Sequence, residues 1–219
     1  MKKPFYIILF SLITLFSCKK DAKMTDAISS NQKEIIQNIN IENPNTFAKK
    51  LSNAAISIID DKIVYTPSYV AIKYPNGDVP AKTGVCTDVV IRAYRKLGID
   101  LQKEVHEDMK ANFSVYPKTW GLKTTDKNID HRRVPNLEVF FDRKGEKLKV
   151  TKNASDYKTG DLVTWMIAGK MPHVGIVTHK KSTDGKRNLI VHNVGGGQVL
   201  QDCLFSYDIV GHYRFEIKD

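Results

Sequence analysis

From Thr46 onward, apolar residues recur first at helical and then at strand spacing. Phe47, Leu51, Ala54/Ala55 and Ile58 share one helical face, so the spacing predicts a helix over 46–59, ended by Asp60-Asp61. Tyr65 to Pro80 is extended and rich in turn residues, among them Pro67, Pro75 and Asn76-Gly77-Asp78. A second helical stripe then runs through Cys86, Val90, Ala93/Tyr94 and Leu97, with Thr83 placed to cap it and Gly98 to stop it. A weaker helical segment occupies 100–120 (Leu101, Val105, Met109), and Leu137 to Phe141 reads equally as helix or strand. Strand candidates come last, at 162–167, 174–178, 189–194 and 213–217. Helices followed by a run of strands predict an α+β fold in which the cysteine-bearing helix packs on a small antiparallel sheet.

The N-terminus is a separate problem. Lys2-Lys3, a nearly unbroken apolar stretch from Pro4 to Phe16, and Ser17-Cys18 have the order of a secretory signal, and the stretch is short for a membrane span. Leu15-Phe16-Ser17-Cys18 resembles the lipobox of bacterial lipoproteins, although Phe16 is bulkier than the usual occupant. That resemblance implies a signal peptide over 1–17 and an acylated Cys18. It also implies a protein held to a membrane of the cell envelope, periplasmic or surface-exposed, by lipid alone. The polar run 18–45 then serves as a tether, and 46–219 is long enough for one domain with its own core. Formal charge is +10, two of it from Lys2 and Lys3, which suits anionic surroundings such as phospholipid headgroups or wall polymers. Nucleic acid is not expected, because no basic-aromatic platform or recognition-helix pattern is present. A monomer is expected.

With Cys18 assigned to lipid, Cys86 and Cys203 remain, either free or paired in an exported compartment. Cys86 falls in the first turn of its helix, where unpaired N–H groups and the helix dipole favour thiolate, the nucleophilic form. Two histidines lie on the consecutive strand segments Pro172-His173-Val174-Gly175-Ile176-Val177 and Leu189-Ile190-Val191-His192-Asn193. If the connecting hairpin centres on Ser182/Thr183, His173 lies opposite His192; if it centres on Asp184-Gly185, His192 lies opposite Val177. Either register leaves both histidines on one face, with Gly175 beside them to let a helix approach. A cysteine nucleophile needs a base, and the base needs a partner that fixes its tautomer. His173 is expected to be the base and His192 the orienting group.

The cysteine on the first core helix, Gly160-Asp161-Leu162-Val163-x-Trp165, His173-Val-Gly-Ile-Val and the histidine on the next strand together resemble the NlpC-type cell-wall peptidases. The segments Gly-Val-Cys-Thr-Asp-Val-Val, Asn-Ile-Asp-His-Arg-Arg-Val-Pro-Asn-Leu and Gly-His-Tyr-Arg are more closely similar to an uncharacterised bacterial family attached to that superfamily. The resemblance implies a papain-like core and a cysteine peptidase or amidase with Cys86, His173 and His192 as catalytic residues. It implies peptidoglycan stem-peptide amide bonds as substrate. The chain departs from the family at Val85-Cys86-Thr87-Asp88, where the familiar enzymes carry Asp-Cys-Ser-Gly, and in the insertion around Asp130-His131-Arg132-Arg133. Asp88 is offered to a substrate ammonium group, and His131 and Arg132, with Arg133, to a substrate carboxylate. Asp161 is expected to anchor a turn, and Gly195-Gly196-Gly197 to form a flexible turn beside the site. His192, Cys203 and His212 match no compact ligand spacing, so neither metal nor cofactor is expected. Acyl transfer by the same thiol and a non-catalytic wall-binding role are the competing functions.

Overall fold

The computed structural model describes residues 46–217, so Cys18 and the expected signal and tether lie outside the described residues. Among the described residues the α-helices are α1 (Phe47–Ser57), α2 (Cys86–Arg95), α3 (Leu101–Ala111) and α4 (Val134–Lys144). A parallel pair, β1 (Val64–Tyr65) with β2 (Thr83–Gly84), stands apart from the main sheet. That sheet has six antiparallel strands: β3 (Glu146–Lys147), β4 (Leu162–Ile167), β5 (Met171–Lys181), β6 (Asn188–His192), β7 (Val199–Gln201) and β8 (Asp208–Arg214), in the order β3-β8-β4-β5-β6-β7. The α+β class therefore holds. Among the described residues, no helix is long and apolar enough to cross a membrane.

The ambiguous segment at Leu137–Phe141 is helical, and Pro135 lies in its first turn, where its missing N–H and fixed φ suit a helix start. The last strand runs earlier than expected, over Asp208–Arg214 rather than 213–217. Gly211 hides it, since an interior glycine argues against a strand. A Cβ on Gly211 would lie 2.5 Å from Thr164 Oγ1, so close packing demands the glycine.

Strand alternation assigns two faces. Leu162, Thr164, Val174, Ile176 and Tyr213 point to the helices: Thr164 Oγ1 donates to Glu138 of α4 at 2.6 Å, and Phe141 packs on Tyr213. Tyr94 of α2 packs on Phe47 and Phe215 and donates its hydroxyl to the Phe215 carbonyl at 2.8 Å. Phe140 and Phe141 pack on the same Phe215 ring. On the other face, Tyr157, Val163, Trp165, Val177, Ile190, Cys203 and Leu204 form a second apolar cluster, and Trp165 Nε1 donates to the Leu204 carbonyl at 2.9 Å. Burying the indole with its N–H paired is what makes Trp165 tolerable there.

Asp161 anchors its turn, as expected, by accepting the Lys158 N–H at 2.8 Å. It also ties down the end of β8, receiving His212 Nε2 at 2.8 Å and Arg214 Nη2 at 2.7 Å. The carboxylate is fully buried, so losing it leaves a buried histidine and a backbone N–H without acceptors. Asp161→Ala is expected to lower the unfolding free energy by about 3 kcal/mol, read from urea denaturation. An unchanged midpoint would deny the network that role.

Candidate active site

The head of α2 is built differently from the expectation. Thr83 does not cap it: its hydroxyl donates to the Pro80 carbonyl at 2.8 Å, and the capping position is Val85, in extended conformation. The Asp88 carboxylate reaches back to accept the Val85 N–H at 2.7 Å. Cys86 is therefore the first helical residue, and it is buried.

Its sulfur is surrounded by donors: the Val174 N–H, the Thr87 N–H and the Tyr65 hydroxyl. The thiolate expectation nevertheless fails. Burial pushes the thiol up to about 11, and the Asp88 carboxylate adds to the rise, so desolvation and a like charge outweigh the helix head and the local donors. Cys86 is a neutral thiol at pH 7.

The two histidines share a face, as the hairpin argument requires, but in a register between the two considered. Val177 pairs with Ile190 and Ile176 with Val191, which brings His192 opposite Gly175, and the strands slip only beyond Val177. His173 Nε2 meets His192 Nδ1 at 2.9 Å, with the ring planes at 79°. Gly175 serves this pair rather than a helix. A Cβ there would lie 2.6 Å from Ile190 Cγ2 and 3.2 Å from His192 Cβ, on the face away from the helices.

A third group completes the relay. His192 Nε2 contacts Gln201 Oε1 at 2.8 Å. An amide oxygen only accepts, so His192 Nε2 carries the proton and its Nδ1 accepts from His173 Nε2. That leaves His173 Nδ1 unprotonated and without a hydrogen bond among the described residues, the state a general base needs. Burial, then the charge of His192, holds His173 down to about 3, and burial lowers His192 against an opposing pull from Gln201. Sequence reading missed Gln201 because it missed β7, a strand of only three residues that begins two residues after Gly197. It missed Tyr65 because nothing in an extended stretch marks one tyrosine over another.

The structure joins the histidines to each other and Cys86 to the Val174 N–H, one residue beyond His173, with no hydrogen bond between Cys86 and His173. Cys86 and Cys203 are both free. Cys203 Sγ lies 3.4 Å from His192 Nε2, and burial pushes its thiol up to about 12.

The expected substrate groups require correction. Asp88 is occupied twice over, by the Val85 N–H and by Arg132, whose Nε and Nη2 each reach it at 3.0 Å. Arg132 further donates to the Ser68 and Thr66 carbonyls at 3.3 and 3.4 Å, which leaves its fork no free edge. His131 is buried and held neutral at about 3, chiefly by burial and then by the Arg132 charge, so it carries no charge for a carboxylate. These three residues shape the site from within a single 3₁₀ turn, Asp130–Arg132, and the head of α2. Beside them opens a cleft of about 180 Å³ whose walls include Tyr65, Cys86, Trp120, Arg133 and Pro172.

Comparison with known proteins finds a family that matches the chain. The family described as Domain of unknown function (DUF1287) matches residues 52–215. The chain is also similar to "Uncharacterized protein YijF" of Escherichia coli (strain K12), 42% identical over 212 residues that cover 97% of this chain and 98% of that one.

With the thiol at about 11, alkylation of Cys86 by iodoacetamide is expected to accelerate continuously from pH 7 to pH 10, following the growing thiolate fraction. A rate that levels off by pH 7 would show an ion pair in place of two neutral groups. Stopped-time labelling resolved by mass spectrometry makes the measurement.

Proposed function

This chain belongs to the DUF1287 family, and we propose that it is a membrane-anchored cysteine hydrolase with a papain-like, NlpC-type core that cleaves amide bonds in cell-wall peptides. One observation carries the reading. Cys86 heads α2 at the wall of a cleft, its sulfur on the N–H next to a histidine whose outer ring nitrogen is tethered through His192 to Gln201.

The chemistry starts from two neutral groups. Strand alternation sets the His173 ring on the sheet face away from α2, so the route requires that ring to come round the end of β5 to the Cys86 sulfur when substrate fills the cleft. His173 Nδ1 takes the thiol proton as sulfur attacks the amide carbon. The resulting imidazolium is supported by His192, whose Nδ1 accepts from His173 Nε2 while its own Nε2–H donates to Gln201 Oε1. Charge gathers on the former carbonyl oxygen, and the N–H groups at the head of α2 and the Tyr65 hydroxyl are the donors nearest to it. The C–N bond then breaks as His173 returns its proton to the leaving amine. Water, deprotonated by the same ring, releases the acid and restores the thiol.

Neutral starting groups suit this route. A buried thiolate–imidazolium pair would have to be held against desolvation on both partners. The neutral pair meets that demand only while substrate occupies the cleft. The signal-like N-terminus and the lipobox-like run ending at Cys18 support the anchor, and the basic charge supports an anionic wall or membrane surface.

Purified peptidoglycan digested with the soluble domain and read by mass spectrometry tests the reaction. Cys86→Ala is expected to release no new fragments. His173→Ala is expected to lower kcat by about 10²–10⁴, and His192→Gln to retain more activity than His192→Ala. Wild-type turnover in Cys86→Ala would remove the thiol mechanism.

Anchoring is tested separately. Cys18→Ala is expected to move the full chain from the membrane fraction to the soluble fraction while hydrolysis by the domain is unchanged. Continued membrane fractionation would point to an uncleaved N-terminal anchor.

A further inference from the structure

The cleft beside Cys86 is walled by two arginines in very different electrostatic states. Arg132 is neutralised by the buried, two-point contact with Asp88. Arg133 has no such partner. Its guanidinium lies over the Trp120 ring with its carbon 4.1 Å from the ring centre, and its Nη1 is buried without any hydrogen bond. Asp130 and Asp126, the acids that act on it, do so only through space, and burial of the guanidinium opposes them.

A buried, unpaired guanidinium N–H is costly, and arginine cannot escape by losing its proton. The stacked indole holds one face of the group and steers its plane without satisfying its N–H edge. What is missing is an acceptor, and it must come from outside, because neighbouring side chains leave that edge unbonded. One uncommitted fork matches the two coplanar oxygens of a carboxylate. A phosphate would call on the second arginine, and Arg132 is already spent on Asp88.

We infer that Arg133, held against Trp120, is the recognition group for a substrate carboxylate, so the substrate is an acidic peptide carrying a carboxylate close to the amide bond that Cys86 attacks. This rests on the hydrolase reading of the cleft and narrows it to a substrate class. It also narrows the carboxylate role, offered to His131, Arg132 and Arg133 together, to Arg133, since His131 is neutral and Arg132 is paired with Asp88.

The test uses two alkylating reagents that differ only in the group a clamp would read. Iodoacetate carries a carboxylate and iodoacetamide its neutral amide. With each, Cys86 sulfur forms a bond to the methylene carbon as iodide leaves. The rate ratio of iodoacetate to iodoacetamide at Cys86, relative to the same ratio for free glutathione, is expected to exceed one in the wild-type domain. It is expected to fall about tenfold in Arg133→Gln, the loss of one charge-assisted hydrogen bond. Trp120→Leu, which removes the stacking and leaves the charge, is expected to lower the ratio by a smaller factor. Acetate added to the wild-type domain is expected to compete with iodoacetate, an outcome that needs no variant to fold. A ratio unchanged in Arg133→Gln, or no competition by acetate, overturns the clamp. Stronger competition by inorganic phosphate than by acetate overturns the carboxylate assignment. If iodoacetamide itself does not label Cys86, the thiol is not open to the cleft, and the hydrolase reading falls together with the clamp.

Discussion

The buried ion pair between Asp88 and Arg132 is the contact on which the site depends. Both side chains are nearly inaccessible, at 2% and 3% exposure. Through this pair the head of α2 is tied to the turn before α4. Arg132 extends the tie to the Thr66 and Ser68 carbonyls, while Thr87 donates to the Arg132 carbonyl at 3.1 Å. Three segments far apart in the chain thus meet around Cys86. A buried pair of this kind adds little net stability over an apolar replacement, but removing one member leaves an uncompensated charge. Its value is positional: it holds the head of α2, which begins at Cys86, against the turn that carries Arg132.

The same pair has an electrostatic consequence. An acidic side chain next to the helix head offsets the positive potential that would have favoured thiolate, and burial does the rest. The site therefore rests uncharged, with a neutral thiol and neutral imidazoles. The relay from His173 through His192 to Gln201 fixes which ring nitrogen is free without requiring a carboxylate. Charge is concentrated instead at Arg133, which lines the cleft with its Nη1 left without a hydrogen bond.

The order of elements, the cysteine at a helix start and the two histidines on one face were all legible from spacing, because helical and strand periodicities are local properties of the chain. The sharing of a face survived an uncertain register, since both candidate pairings and the observed one preserve strand parity. Gly98 stopping its helix was legible for the same local reason, and the structure gives it a φ of 81°.

Burial was not local and so was not legible. Asp88, His131 and Arg132 read as charged residues available to a ligand, and only packing showed that two of them satisfy each other while the third is dehydrated and neutral. Gln201 and Tyr65 entered the site from the neighbouring strand β7 and from the two-residue strand β1, which no periodicity marks. By itself the sequence determined an α+β chain with its thiol and histidines on defined faces, because those follow from repeat lengths of a few residues. The tertiary structure alone decided which charges are spent, that both buried thiols stay protonated and which arginine beside the cleft is left unpaired, because those depend on desolvation and on partners distant in the chain.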